Sequence, residues 1–155
     1  MPITTIGGGR GVEPRDIWEY GYRRLTKKRM SASDPNEYST TSTSYVTVST
    51  LNLDIGVPNA LVWIRKIKFT REMYSTSYPV YSRLLIEGVA FCEASLNVRD
   101  YTSIENIAHT DIVAETDSNG ILQVEVQLKI GSSAQTGYMR NTYVEIDAVV
   151  IENEP

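Results

Sequence analysis

A single cysteine and a single histidine occur in the 155 residues. One cysteine, Cys92, excludes an intrachain disulfide framework and any multi-cysteine metal site. With one histidine beside it, a zinc site cannot be built inside one subunit. Ala and Leu do not dominate, so the composition does not favour helix. No stretch approaches the ~18 consecutive apolar residues of a membrane-spanning helix, and no Asn-x-Ser/Thr sequon is present. The opening Met-Pro-Ile-Thr-Thr-Ile-Gly-Gly-Gly lacks a charged region followed by an apolar run, which predicts no signal peptide. The expectation is synthesis and folding in the cytoplasm, with no membrane partner.

Catalytic equipment is also scarce. His109 stands two residues before Asp111, a spacing that puts both on one face of a strand. No nucleophile-elbow motif accompanies them, and the serines are too many to single one out. Asp111, Glu115 and Asp117 offer hard oxygen ligands but lack the EF-hand spacing. The Gly7–Gly11 run has no strand before it and no Gly-Lys-Ser/Thr after it, unlike a phosphate loop. The chain is therefore expected to be no enzyme, with no catalytic residue, no bound metal and no cofactor.

What the chain does have is Val, Ile, Thr, Ser and Tyr, which suit a pleated, half-buried surface. From Ser44 the apolar period is two almost throughout. Tyr45–Ile55 alternates with a parity switch near Ser49-Thr50 that predicts a bulge. Leu61–Phe69 puts Leu61, Trp63, Ile67 and Phe69 on one side and Lys66 and Lys68 on the other. Arg71–Pro79 reads as a Tyr/Ser/Thr loop. Val80–Glu87, Val89–Val98 and a weaker Asn106–Ala114 follow, with Cys92 expected as a small buried thiol beside Phe91.

Asp117-Ser118-Asn119-Gly120 predicts a hairpin turn with Gly120 at positive φ. In the next strand Leu122, Val124, Val126, Leu128 and Ile130 share a face. In Tyr138–Glu152, Val144, Ile146, Ala148 and Val150 point inward. About seven such strands, each with one wet face, predict an all-β fold made of a single antiparallel β-sandwich. The pattern alone leaves jelly-roll and immunoglobulin-like topologies open.

The first 30 residues differ. They hold seven bases against three acids, whereas the remainder holds eight bases against sixteen acids. Gly7-Gly8-Gly9-Arg10-Gly11 predicts an irregular arm. Pro14 to Met30 predicts a short helix, with proline and acids at its start and Lys27, Lys28 and Arg29 at its end. The organisation expected is a basic arm over 1–30, a polar linker over 31–43 and a β-sandwich domain over 44–155. Arg10, Arg15, Trp18, Tyr20, Tyr22, Arg23, Arg24, Lys27, Lys28 and Arg29 are the candidate assembly residues of the arm. Its cations could also meet nucleic-acid phosphates, but the aromatics favour docking on protein. Tyr74, Tyr78 and Tyr81 form a candidate recognition loop, since tyrosine supplies rigid amphipathic contact area.

Two stretches, Tyr81-Ser82-Arg83-Leu84-Leu85-Ile86-Glu87-Gly88-Val89-Ala90 and Tyr138-Met139-Arg140-Asn141, resemble a pattern in small β-sandwich modules. Such modules occur in structural proteins of phages and archaeal viruses and in appendage or surface proteins of thermophiles. The resemblance covers residues 40–152 and leaves the basic arm outside, although many viral coat proteins are organised as an arm plus a jelly roll. It implies a jelly-roll-like fold and a structural or attachment role. With the charge asymmetry, the aromatic segment 14–30 and the lack of catalytic groups, the expectation is a self-assembling coat, decoration or appendage subunit. Its partners would be copies of itself or other capsid or appendage subunits, in a virion or other extracellular assembly. The alternative is a carbohydrate-binding or adhesion module that uses the tyrosine loop.

Overall fold

The computed structural model describes residues 23–153. They form ten strands: β1 (Arg23–Asp34), β2 (Tyr38–Thr40), β3 (Val46–Asp54), β4 (Leu61–Ser75), β5 (Val80–Ile86), β6 (Val89–Leu96), β7 (Thr102–His109), β8 (Val113–Glu115), β9 (Ile121–Ile130) and β10 (Gly137–Asn153). All pairings are antiparallel. Sheet A runs β1-β10-β4-β7, with β2 also against β10 and β8 also against β4; sheet B runs β3-β9-β5-β6.

Setting the short β2 and β8 aside, the other strands pair from the outside inward: β1 with β10, β3 with β9, β4 with β7, β5 with β6. Two further pairings, β10 with β4 and β9 with β5, roll that nested ribbon into two sheets. An eight-stranded double sheet of this kind is a jelly roll. Alternate residues of both sheets fill the space between them. Leu53, Val62, Ile64, Ile67, Phe69, Leu84, Ile86, Val124, Val126, Leu128, Val144 and Ile146 are all fully enclosed.

Three expectations need correction. Residues 23–30, expected at the end of a helix, are strand, and 31–34 continue it instead of opening a linker; residues 1–22 lie outside the described residues. Thr26, Lys28, Met30 and Ala32 turn inward while Lys27, Arg29, Ser31 and Ser33 face water. Lys28 fits an inward position because its stem lies along the protein and its Nζ donates to the Ile55 carbonyl at 2.8 Å. Second, the bulge in β3 falls between Thr47 and Ser49, slightly earlier than expected. Third, β4 continues to Ser75, so the expected loop over 71–79 shrinks to 76–79.

The reason for the third is Arg71, which occupies an inward position with 0% exposure. Its Nε donates to Ser82 Oγ at 2.8 Å. Nη1 donates to the Phe69 carbonyl at 3.3 Å and to Asn106 Oδ1 at 2.5 Å, and Nη2 donates to the Cys92 carbonyl at 3.0 Å. Its guanidinium lies 4.2 Å from the centre of the Phe69 ring. These acceptors come from β4, β5, β6 and β7, so one side chain ties the two sheets together along one margin. All of them are neutral, and burial pushes the guanidinium pKa down to about 10, which still leaves it charged at neutral pH. Cys92, at φ 56°, sits where β6 bulges opposite Arg83. That places its carbonyl within reach of Arg71. The thiol is half-buried against the core, donates weakly to the Asn106 carbonyl (3.8 Å), and is pushed up in pKa by burial.

The 117–120 turn forms with Gly120 at positive φ, but it closes no hairpin: β8 before it belongs to sheet A and β9 after it to sheet B. Asp117 Oδ1 accepts the N–H groups of Asn119 (2.8 Å) and Ile121 (3.0 Å), and Gly120 has φ +77°. A Cβ on Gly120 would meet the Val57 backbone nitrogen at 2.9 Å. On Gly88, at φ +76°, it would meet nothing within 4 Å. Gly88→Ala is expected to cost about 1 kcal/mol, the conformational penalty alone. Gly120→Ala should cost about 3 kcal/mol, because backbone must also move. Urea midpoints of the two variants measure the difference, and equal losses would show that the 56–57 turn yields freely.

Candidate assembly surface

The outward face of sheet A is read row by row from the register. One row is Arg29–Asp147–Lys66–His109, and the next is Ser31–Glu145–Lys68–Ile107. These rows are mostly polar, with Ile107 exposed at the end of the second. Arg29 Nε donates to Asp147 Oδ1 at 2.7 Å and stands 3.8 Å from Glu145. Arg65 stands 3.5 Å from Asp111 and lies 4.2 Å from the centre of the Trp63 ring. Asp111 thus pairs with Arg65, and His109 is an exposed outward residue of β7.

Toward the start of β1 the character changes. The rows there are Leu25–Ile151–Leu61–Glu115 and Lys27–Val149–Trp63–Val113. Their neighbours Val150, Val62 and Ala114 are buried, so these two rows share the opposite, outward face. Leu25, Ile151, Leu61, Val149, Trp63 and Val113 make one apolar corner edged by Lys27 and Glu115. Val113 is 49% exposed.

The corner exists because β4 bulges at Arg65: Asp147 pairs with Lys66 but Ala148 pairs with Ile64. The extra residue reverses parity, so Ile67 and Phe69 point inward while Leu61 and Trp63 point outward. The single apolar side expected for Leu61, Trp63, Ile67 and Phe69 is therefore split between the two faces. Val62 and Ile64, apolar at even positions, followed by Ile67 and Phe69 at odd ones, carried the signal.

Of the arm residues, Arg10, Arg15, Trp18, Tyr20 and Tyr22 lie outside the described residues, and the Arg23 side chain does too. Arg24 Nε donates to Glu152 at 2.9 Å, Lys28 is engaged inward, Arg29 is paired, and Lys27 is exposed at the edge of the corner.

The three tyrosines of the expected recognition loop do not converge. Tyr74 faces out from sheet A, with its ring stacked on Tyr138 (4.3 Å, 7°) and edge-on to Tyr101 (4.5 Å, 84°). Arg140 covers Tyr101 at 3.8 Å, and the Tyr101 hydroxyl donates to Glu37 at 2.5 Å; burial, then that bond, push its pKa up. Tyr81 faces out from sheet B, with Lys129 4.8 Å from its ring centre. Beside it Tyr45 carries Arg83 at 4.0 Å and Lys129 at 4.6 Å and donates to Glu93 at 2.9 Å. Tyr78 alone sits in the short loop, 48% exposed. Among the described residues no group of three or more His, Cys, Asp or Glu side chains is placed to hold a metal ion.

Three carboxylates titrate low. The hydrogen bond from Arg29 holds Asp147 below the usual range. Bonds from Asn141 and then Arg140 do the same for Glu72. For Asp34, burial works upward, but donors on Tyr38, Ser49 and Asn36 together outweigh it and leave the group lowered. A carboxyl depressed by folding stabilises the fold above its unfolded pKa of about 4, and that contribution is lost as pH falls through the folded value. The melting temperature is expected to hold between pH 7 and 5 and to fall below about pH 4. Asp34→Ala, which removes the tie from β1 to Ser49 of β3, should lower the plateau and shallow the acid limb; an unchanged acid limb would exclude Asp34 as a contributor.

No protein-family model and no curated protein matches the chain. Among solved structures it is similar to that of the extra small virus VLP of the giant freshwater prawn Macrobrachium rosenbergii, at 10% identity and TM-score 0.40, covering 100% of this chain and 86% of that one. It is also similar to the cyanophage Pam1 capsid asymmetric unit, at 18% identity and TM-score 0.40, with coverage of 95% and 99%. A third is a pilus-type Bacillus endospore appendage, at 6% identity and TM-score 0.34, with coverage of 87% and 93%. Likeness this slight carries no role across, and the case for a function rests on the residues themselves.

Proposed function

We propose that the chain is a non-enzymatic structural subunit that assembles with copies of itself or with other subunits of a virion or appendage. The observation that carries this reading is the apolar corner. Elsewhere sheet A turns mostly charged and hydroxyl groups outward, whereas here six apolar side chains lie together across β1, β10, β4 and β8. A contiguous outward apolar patch with a polar margin is the usual mark of a protein interface. The strand cations support protein docking over phosphate binding, because Arg24 and Arg29 already meet acids of the same sheet. A carbohydrate site on the tyrosines finds less support, since Tyr74 spends its ring on Tyr138 and Tyr101.

Val113→Glu tests the reading, because an exposed position on the short β8 can take a charge at a cost within about 0.5 kcal/mol. The expected result is an unchanged urea midpoint together with loss of oligomers by sedimentation. Wild-type protein that stays monomeric at high concentration would overturn the proposal.

A further inference from the structure

The occupant of the apolar corner can be argued from where the described chain begins. Arg23 is already paired with Asn153 at the end of sheet A, two positions before Leu25 of the corner. The sequence immediately before it, Ile17-Trp18-Glu19-Tyr20-Gly21-Tyr22, carries three aromatic residues and an isoleucine within six positions. Its single acid, Glu19, matches the exposed Lys27 on the corner's edge. We infer that residues 17–22 of one copy seat on the apolar corner of a second copy, and that the exchange is reciprocal. This rests on the assembly reading above and names the contact that would serve it.

The start of β1 favours a second copy over the chain's own corner: to lie over Leu25 and Trp63 of the same subunit, the segment would have to reverse within the one or two residues before Arg23. Reach then sets the symmetry. At about 3.3 Å per residue, six residues extend no more than about 20 Å, so the receiving corner must lie that close to the donor's Arg23. Each subunit has its own corner at that same place. A two-fold arrangement satisfies both contacts at once and closes the pair.

Disulfide trapping in full-length protein tests this, with Cys92→Ser as background. Chains carrying Glu19→Cys are mixed with mass-tagged chains carrying Lys27→Cys, the two polar positions matched across the proposed contact. Oxidation should give a mixed 19–27 dimer, and a chain carrying both substitutions should give a doubly linked dimer. A 19–27 link within one chain would overturn the second-copy occupant, and no link at all would overturn the contact. Trp18→Ala with Tyr20→Ala should also reduce dimer at least tenfold by sedimentation while the urea midpoint stays put; a retained dimer would count against the segment. If Val113→Glu disperses assemblies while trapping fails, only this inference falls. If wild-type protein is monomeric, both fall.

Discussion

Arg71→Ala is expected to lower stability by about 4 kcal/mol, read as a drop of about 10 °C in melting temperature for a domain of this size. Two effects add. Removing a fully enclosed side chain leaves a cavity between the sheets. It also strips donors from the Cys92 carbonyl, the Asn106 amide oxygen and Ser82 Oγ, and each buried acceptor left without a partner costs about 1–3 kcal/mol.

Arg71→Met separates the two. Methionine replaces much of the volume and brings no charge to desolvate, but it offers no donor, so a loss of about 2 kcal/mol is expected. If Arg71→Met matched the wild type in urea, the four hydrogen bonds would be returning no more than burial of the guanidinium costs. Burial is the source of that cost and of the depressed pKa alike. A base whose folded pKa is lowered to about 10 is held less well charged by the fold than by water. Its own contribution to stability should therefore rise as pH climbs above about 10.

Phe69→Ala should cost a similar amount, about 4 kcal/mol, on the order of a third to a half of the stability of such a domain. The ring is 0% exposed and has the Arg71 guanidinium stacked on it at 4.2 Å. The two losses should not add. Without the ring, water can approach the guanidinium, and without the guanidinium, the ring loses its polar neighbour. A double-mutant cycle of urea midpoints should return a coupling of at least about 1 kcal/mol; a coupling near zero would mean that the stacking contributes nothing beyond area.

Where outward and inward residues differ in polarity, the fold was legible. β9 alternates five aliphatics with Gln, Glu and Lys, and both its extent and its inward face follow from that. The 117–120 turn is equally readable, since Gly120 at positive φ leaves few alternatives. Legibility failed where a charged side chain points inward or an apolar one points outward. Arg71 made the last third of β4 look like a loop. Lys28, with its Nζ bonded to a carbonyl, made β1 look like the end of a helix. The candidate surface failed for a related reason: a one-residue bulge at Arg65 decides whether Leu61 and Trp63 belong to the core or the exterior. The tyrosines 74, 78 and 81 are close in sequence, but β4 and β5 belong to different sheets, which sends Tyr74 and Tyr81 to opposite sides of the sandwich.

The place of β10 in sheet A has a consequence for timing. It lies between β1 and β4 and pairs with both along most of its length, so β1 has no sheet to join until residues near 150 have been made. At a synthesis rate of about 5–20 residues per second, β1 waits on the order of ten seconds for its partner. Val149 and Ile151 of β10 complete the apolar corner at the same stage. A nascent chain therefore cannot present the finished corner before β10 has been made.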